Sequence, residues 1–274
     1  MENKLKICFI GGGNMAQALI GGLADKLTAA SDIHVVDVNP QALELLSQRF
    51  GVKASASTDH VVETADVVVL AVKPQQMREV VRGIASQIKG QLVLSIAAGI
   101  RAADLSRWLG GHMAIVRTMP NTPALLGKGI AGMVALSGVS SRQKETADAI
   151  LRAVGETVWL DQEQQIDAVT AISGSGPAYV FYFLEAMEQA AIELGLSAEQ
   201  GRVLAEATFL GASALASQSD EPLSVLRDRV TSKGGTTYAA LTSMETADVK
   251  QSIVKALHAA AARGAELGNE FGAD

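Results

Sequence analysis

Lys6-Ile7-Cys8-Phe9-Ile10-Gly11-Gly12-Gly13-Asn14-Met15-Ala16 is the stretch that decides the fold of this chain. A short apolar run breaks into Gly-x-Gly-x-x-Ala and continues as Gln17-Ala18-Leu19-Ile20-Gly21-Gly22-Leu23, which has helical spacing. Strand, glycine turn and helix in that order form a dinucleotide-binding fingerprint. Each small residue has a physical task in it. Gly11 permits the tight turn out of the strand, Gly13 lets a pyrophosphate approach the backbone, and Ala16 lets the helix lie close on the strand. The start of the helix then presents free N–H groups and a partial positive charge, with Gly12, Asn14 and Met15 completing the turn.

Outward from this turn, the first half alternates strand-like and helix-like segments. Strands are expected at residues 33–38, 67–72, 92–97 and 114–117, with 130–136 and 156–160 extending the sheet. Helices are expected at residues 40–50, 75–88 and 101–109. The strand segments are continuous Val/Ile/Leu runs and do not alternate with polar residues. That pattern belongs to strands covered on both faces, hence to a mostly parallel sheet between helices. After about Gln162 strand-like runs vanish, and helices are expected at residues 165–172, 177–194, 198–218, 223–230, 236–245 and 248–267. Ser197 followed by Gln200 predicts a capping box, and Pro177 sits where a first helical turn tolerates it. The expected fold class is α/β: a Rossmann domain over residues 1–162, then an all-α substrate-binding and dimerisation domain over 163–274. The second-half helices are rich in Ala and Gly, which permit close approach but fill little core volume. Pairing with a second copy is favoured over a monomeric bundle.

The bulk composition narrows the function. With 274 residues and 48% hydrophobic residues the chain can bury a large core. A net charge of −6 argues against nucleic acid and anionic membrane partners. The single cysteine, Cys8, lies in the first strand and reads as an inert core thiol. No signal peptide is evident and no apolar run reaches the length of about 18 residues expected of a membrane span. The expected localisation is cytoplasmic.

The carboxyl ends of the strands form the ligand crevice of such a sheet. Asp37 lies 21 residues after Ala16, where an acid either accepts the adenosine ribose hydroxyls or caps the next helix. Ala71-Val72-Lys73-Pro74 offers a cation to a phosphate or substrate, unless Lys73 is merely solvated. Met119-Pro120-Asn121-Thr122-Pro123 is a stiff loop suited to holding an amide and a hydroxyl against a nicotinamide, although an ordinary turn reads the same. Ser232-Lys233-Gly234-Gly235-Thr236-Thr237 opens into a helix with several N–H groups, hydroxyls and no acid. It suits a small anion such as a carboxylate, the alternative being a helix capped by Thr236. Ser173-Gly174-Ser175-Gly176-Pro177 is a further helix break, a packing kink or a cleft-facing element. His34, His60, His112 and His258 all lie outside these loops, and no cluster has metal-ligand spacing. A nicotinamide enzyme without an evident acid–base residue suits a cyclic imine, whose protonated form accepts hydride directly.

Phe9 to Ala16, Ala71 to Pro74, Ser95-Ile96-Ala97-Ala98-Gly99, Met119 to Pro123, Ser173 to Tyr179 and Ser232 to Thr237 together resemble the pyrroline-5-carboxylate reductase family in order and spacing. The resemblance runs through the whole chain, and the Gly-Gly-Thr-Thr element is its most specific part. It implies hydride transfer from NADPH, with NADH as an alternative, to 1-pyrroline-5-carboxylate, giving L-proline. It implies cofactor contacts at Gly11 to Ala16, Thr58, Ala71, Val72, Lys73, Pro74, Ala97 and Asn121. It also implies a carboxylate cradle of Ser232, Gly235, Thr236 and Thr237, with the Thr237 hydroxyl near the ring nitrogen. An interlaced homodimer assembling further, up to decamers, is implied as well. Two departures from the pattern stand out: Lys233 stands where many relatives have Pro, and the loop after the second strand is Asp37-Val38-Asn39-Pro40 where NADPH-preferring relatives often carry Ser or Arg. Two other readings compete. A β-hydroxyacid dehydrogenase needs a lysine that residues 162–232 lack, and a non-catalytic nucleotide sensor has no need of the Gly-Gly-Thr-Thr element.

Overall fold

The computed structural model describes residues 5–273. In chain order the first elements are β1 (Ile7–Ile10), α1 (Asn14–Leu23), β2 (Ile33–Val36), α2 (Pro40–Phe50), β3 (Lys53–Ser55), α3 (Val61–Thr64), β4 (Val67–Leu70) and α4 (Pro74–Ile84). They continue as β5 (Leu92–Ser95), α5 (Ala102–Trp108), β6 (Ile115–Met119), β7 (Gly129–Ala135), α6 (Ser141–Arg152), β8 (Gly155–Trp159) and α7 (Gln165–Val169). Then come α8 (Gly176–Glu193), α9 (Ala198–Ser217), α10 (Leu223–Arg229), α11 (Thr236–Thr246) and α12 (Val249–Gly272).

The strands make one sheet in the order β3-β2-β1-β4-β5-β6-β7-β8, parallel except where β7 runs against β6. The first six follow the doubly wound order, with the direction of winding reversing between β1 and β4. Both faces are covered, which explains the continuous apolar runs. Along β1, Ile7 and Phe9 enter one core layer with Leu19, Ile20 and Leu23, while Cys8 and Ile10 enter the other with Met77, Val81 and Leu105. Burial pushes the Cys8 thiol up to about 12, so it stays protonated and unreactive in the folded chain.

Several expected strands are shorter than their apolar runs. Ladders end at Val36, Leu70 and Ser95, and the following residues leave the sheet to form crevice loops. β3 has no apolar run to announce it. It is a polar edge strand paired with β2 in the register His34 to Lys53. Helix α6 carries a signal that composition hides, a capping box of Ser140 and Gln143. The capping box of Ser197 and Gln200 on α9 is present as expected.

The chain forms two compact units: residues up to Ser175 together with those from Ala260 onward, and Gly176–Ala259. This differs from a division at residues 162 and 163. α7 and the π-turn Thr170–Gly174 pack with the sheet, where Ile166 and Ala171 are buried. A Cβ on Gly132 of β7 would lie 2.7 Å from Val169, and one on Gly174 would lie 2.5 Å from Met119. The Ser173–Pro177 break is therefore a packing feature that leads into α8, with Pro177 in its first turn.

Candidate active site

Gly11 leaves β1 with φ +103°, a conformation that L side chains rarely adopt. A Cβ there would meet the Ala71 carbonyl oxygen at 2.6 Å, so the glycine turn and the exit of β4 touch backbone to backbone. Gly13 caps α1 without a side chain, and a Cβ on it would meet nothing within 4 Å. The first intrahelical bond runs from the Gln17 N–H to the Gly13 carbonyl. The N–H groups of Asn14, Met15 and Ala16 therefore have no acceptor within the helix. Ala16 is buried in the core layer beneath. Open space above Gly13, bare N–H groups and the positive end of a ten-residue helix fit a pyrophosphate.

Asp37 does not cap α2; Asn39 does, through its side chain and the Gln41 N–H. The Asp37 carboxylate instead accepts the Gly12 N–H at 2.7 Å and the Asn39 N–H at 2.8 Å. It thus fixes the exit of β2 against the glycine turn, with each oxygen keeping further acceptor capacity toward the crevice. Thr58 lies in the loop after β3, its hydroxyl accepting from Gln87 Nε2 at 3.2 Å. Ala71 donates to the Ile10 carbonyl, Lys73 is the exposed N-cap of α4, and Pro74 opens that helix. Ala97 is buried just past β5. Gly11 to Ala16, Asp37, Thr58, Ala71 to Pro74, Ala97 and Asn121 thus all follow carboxyl ends of strands.

The amide of Asn121 has two partners within the protein. Its Oδ1 accepts the Ile130 N–H at 2.9 Å and its Nδ2 donates to the Ser173 carbonyl at 3.2 Å. It fastens its loop to β7 and the π-turn, a use that the Pro-Asn-Thr-Pro pattern does not reveal. Sequence reasoning also missed Arg117 and Glu163. The Arg117 guanidinium is buried and donates to Glu163 Oε1 at 2.9 Å, and the same oxygen accepts the Ala102 N–H at 2.6 Å. One carboxylate oxygen thereby joins β6, the start of α5 and the segment before α7. Neither residue sits in a recognisable motif; only the partnership marks them.

The Ser232–Thr237 element belongs to the other unit. Gly234 turns with φ +72°, and the Gly235 N–H donates to the Ser232 carbonyl at 3.0 Å. The N-cap of α11 is Gly235, not Thr236. A Cβ on Gly235 would lie 2.6 Å from Ser232 Oγ, so the Ser232 hydroxyl packs directly on the bare backbone of this turn. Thr236 and Thr237 are the first two residues of α11, and the first intrahelical bond is Ala239 to Gly235. The N–H groups of Thr236, Thr237 and Tyr238 are left without helical acceptors, with two hydroxyls and no acid in the turn.

In the same unit, α8, α10 and α11 bury no residue, and α9 buries only Gly201 and Ala205. Tyr182, Leu194 and Leu215 are each more than 70% exposed. Apolar exposure on this scale marks a surface made for association. Among the described residues no helix is long and apolar enough to cross a membrane.

A doubly wound sheet with a bare glycine turn at its switch point, followed by helices, defines a dinucleotide-binding protein. Residues 6–99 match the family described as NADP oxidoreductase, coenzyme F420-dependent. Residues 163–267 match that described as pyrroline-5-carboxylate reductase dimerisation. The chain is 46% identical over 268 residues to the pyrroline-5-carboxylate reductase of Pseudomonas aeruginosa, covering 97% of this chain and 98% of the relative. It superposes on a pyrroline-5-carboxylate reductase from Coxiella burnetii with a TM-score of 0.91 at 39% identity, covering 97% and 99% of the two chains. It also superposes on the Plasmodium falciparum pyrroline carboxylate reductase solved with NADP bound, with a TM-score of 0.88 at 30% identity, covering 98% and 99%. The chain belongs to the pyrroline-5-carboxylate reductase family, and its helical region is that family's dimerisation region.

Proposed function

We propose that the protein reduces 1-pyrroline-5-carboxylate to L-proline with NADPH, and accepts NADH as an alternative. The observation that carries this reading is the presence in one chain of two separate cradles of bare N–H groups. One stands at α1 and one at α11, and the second has no acid in it. The first suits a pyrophosphate and the second a carboxylate. When bound, the reduced nicotinamide supplies a hydride to the imine carbon. The chain binds and orients: Gly11 to Ala16, Thr58, Ala71 to Pro74 and Ala97 line the cofactor crevice, and Asn121 holds the adjoining loop. Ser232, Gly235, Thr236 and Thr237 take the substrate carboxylate, and the Thr237 hydroxyl hydrogen-bonds the ring nitrogen. Positioning supplies most of the catalysis, because the protonated imine is already electrophilic. Incubation of the purified protein with the cyclic imine and either cofactor should yield proline by amino-acid analysis. A folded sample yielding none with both cofactors refutes the assignment.

Replacing Thr237 by valine keeps the side-chain shape and removes one hydrogen bond. The expected loss in kcat/KM for the imine is about 10- to 100-fold, roughly 1–3 kcal/mol, with NADPH affinity unchanged. Steady-state kinetics with each substrate varied in turn checks this, and unchanged efficiency excludes the contact.

Asp37 presents its carboxylate where the adenosine ribose lies in this fold. Asp37→Ser should shift the ratio of catalytic efficiencies toward NADPH by about 1–3 kcal/mol, the scale of one charged contact. A constant ratio would restrict Asp37 to bracing the glycine turn.

In functional terms we divide the chain at residues 162 and 163, the second part binding substrate and forming the dimer, with decamers built from dimers. We place the enzyme in the cytoplasm, where a proline-forming reductase meets its cofactor pool; fractionation of the source cells checks this. Light scattering should show at least a dimer, and a fully active monomer would contradict the assembly.

A further inference from the structure

The loop of residues 96–101 joins β5 to α5 and carries Ala97. Adenosine contacts lie on the β2 and β3 side of the switch point, so this loop serves the opposite, nicotinamide end of the crevice. This placement rests on the cofactor reading above. The loop is held from behind by the last turns of α12. Gly99 adopts φ +71°, and a Cβ on it would lie 3.1 Å from both Leu267 Cβ and Phe271 Cδ2. Those two side chains rest directly on bare backbone. Arg101 reaches across α12, its Nη2 donating to Asn269 Oδ1 at 2.7 Å and to the Ala265 carbonyl at 3.5 Å.

The helix is notched to receive these side chains. Gly264, Gly268 and Gly272 recur every four residues and so share one face. A Cβ on Gly268 would lie 3.0 Å from Arg101 Nε, and one on Gly264 would lie 3.5 Å from Asp167 Oδ1. At Gly272 a Cβ would lie 2.5 Å from Asp104 Oδ2, and the Gly272 carbonyl accepts from Arg107 Nη2 at 2.7 Å. At the far end of the loop, Ala102 N–H is held by Glu163. Gly99 supplies the left-handed turn within the loop, and the Arg101 hydrogen bonds tie the loop's end to α12.

We propose that Arg101 is a positioning residue for the nicotinamide end of the cofactor site, acting through the notched end of α12 on the Ala97 loop. Supporting groups of this kind matter because a site loosened by a fraction of an ångström loses binding and rate together. Arg101→Met keeps the apolar stem and removes both hydrogen bonds. It should raise the KM for NADPH five- to tenfold while the KM for the imine moves less than twofold. Arg101→Lys should recover part of the loss. Gly268→Val, which pushes the guanidinium away from the helix side, and the milder Asn269→Ala should reproduce the split. All are assayed in the full-length enzyme at a temperature where circular dichroism shows the variant folded. A purely structural Arg101 would lower Tm and leave the KM for NADPH within twofold, and that result overturns the proposal. Ala97→Val separates the two levels. If it raises the KM for NADPH and Arg101→Met does not, the positioning role fails alone. If neither variant moves it, the cofactor reading of the loop fails with it.

Discussion

Gly11→Val is expected to abolish measurable cofactor binding while Gly13→Ala leaves the fold intact. Gly11 combines φ +103° with a Cβ position 2.6 Å from the Ala71 carbonyl oxygen and 2.7 Å from its carbon. The obstacle is backbone at the exit of β4, which no rotamer change relieves. Left-handed strain of about 1–3 kcal/mol and overpacking of about 1–3 kcal/mol act together. NADPH binding should weaken at least ~100-fold, as read by quenching or enhancement of nicotinamide fluorescence. Gly13 provides the control, because its φ of −68° suits any residue and the space around its Cβ is open. Gly13→Ala should keep the wild-type Tm, so whatever affinity it loses reports close approach by the pyrophosphate. Wild-type NADPH affinity in Gly11→Val would remove the glycine turn from the cofactor site.

Glu163→Ala should destabilise the protein by about 3 kcal/mol, the lower end of the range for breaking a buried ion pair, because Glu163 itself is partly exposed. The loss leaves Arg117, a residue 3% exposed, without its carboxylate partner and strips the Ala102 N–H of its acceptor. Against a total stability on the order of 5–15 kcal/mol, this is a large fraction. The double variant Arg117→Met with Glu163→Leu should cost less than either single removal, because no unpaired charge remains inside. Urea denaturation of Glu163→Ala, Arg117→Met and the double variant checks both statements. A Glu163→Ala variant within ~1 kcal/mol of wild type would show that the pair contributes nothing to stability.

Both cradles are openly declared in the sequence. Gly11, Gly13 and Ala16 are legible because a tight turn, a bare backbone and a close helix are each steric demands that only small residues meet. Gly234 and Gly235 are legible for the same reason. The role of Asp37 was not, since an acid before Asn-Pro serves equally as a cap or a reader; its bonds to the Gly12 and Asn39 N–H groups exclude the first. Asn121 shows the converse. Its loop stands out in the sequence, yet only the structure shows its amide bonded to Ile130 and Ser173, partners 9 and 52 residues away.

The sequence by itself determined the α/β class, the strand–glycine–helix start, the change to helices after Gln162 and most helix limits. These depend on hydrophobic period, caps and turn chemistry, which act over a few residues. Tertiary structure alone decided the strand order, the antiparallel β7, the edge strand β3 and the union of the last turns of α12 with the sheet unit. It alone paired Arg117 with Glu163 and set Arg101 against Gly268. Those are contacts between residues 46 and 167 positions apart in the chain. Local propensity carries no information about such distant partners. They are selected when two apolar faces close on each other and buried polar groups are left to find hydrogen-bond partners there.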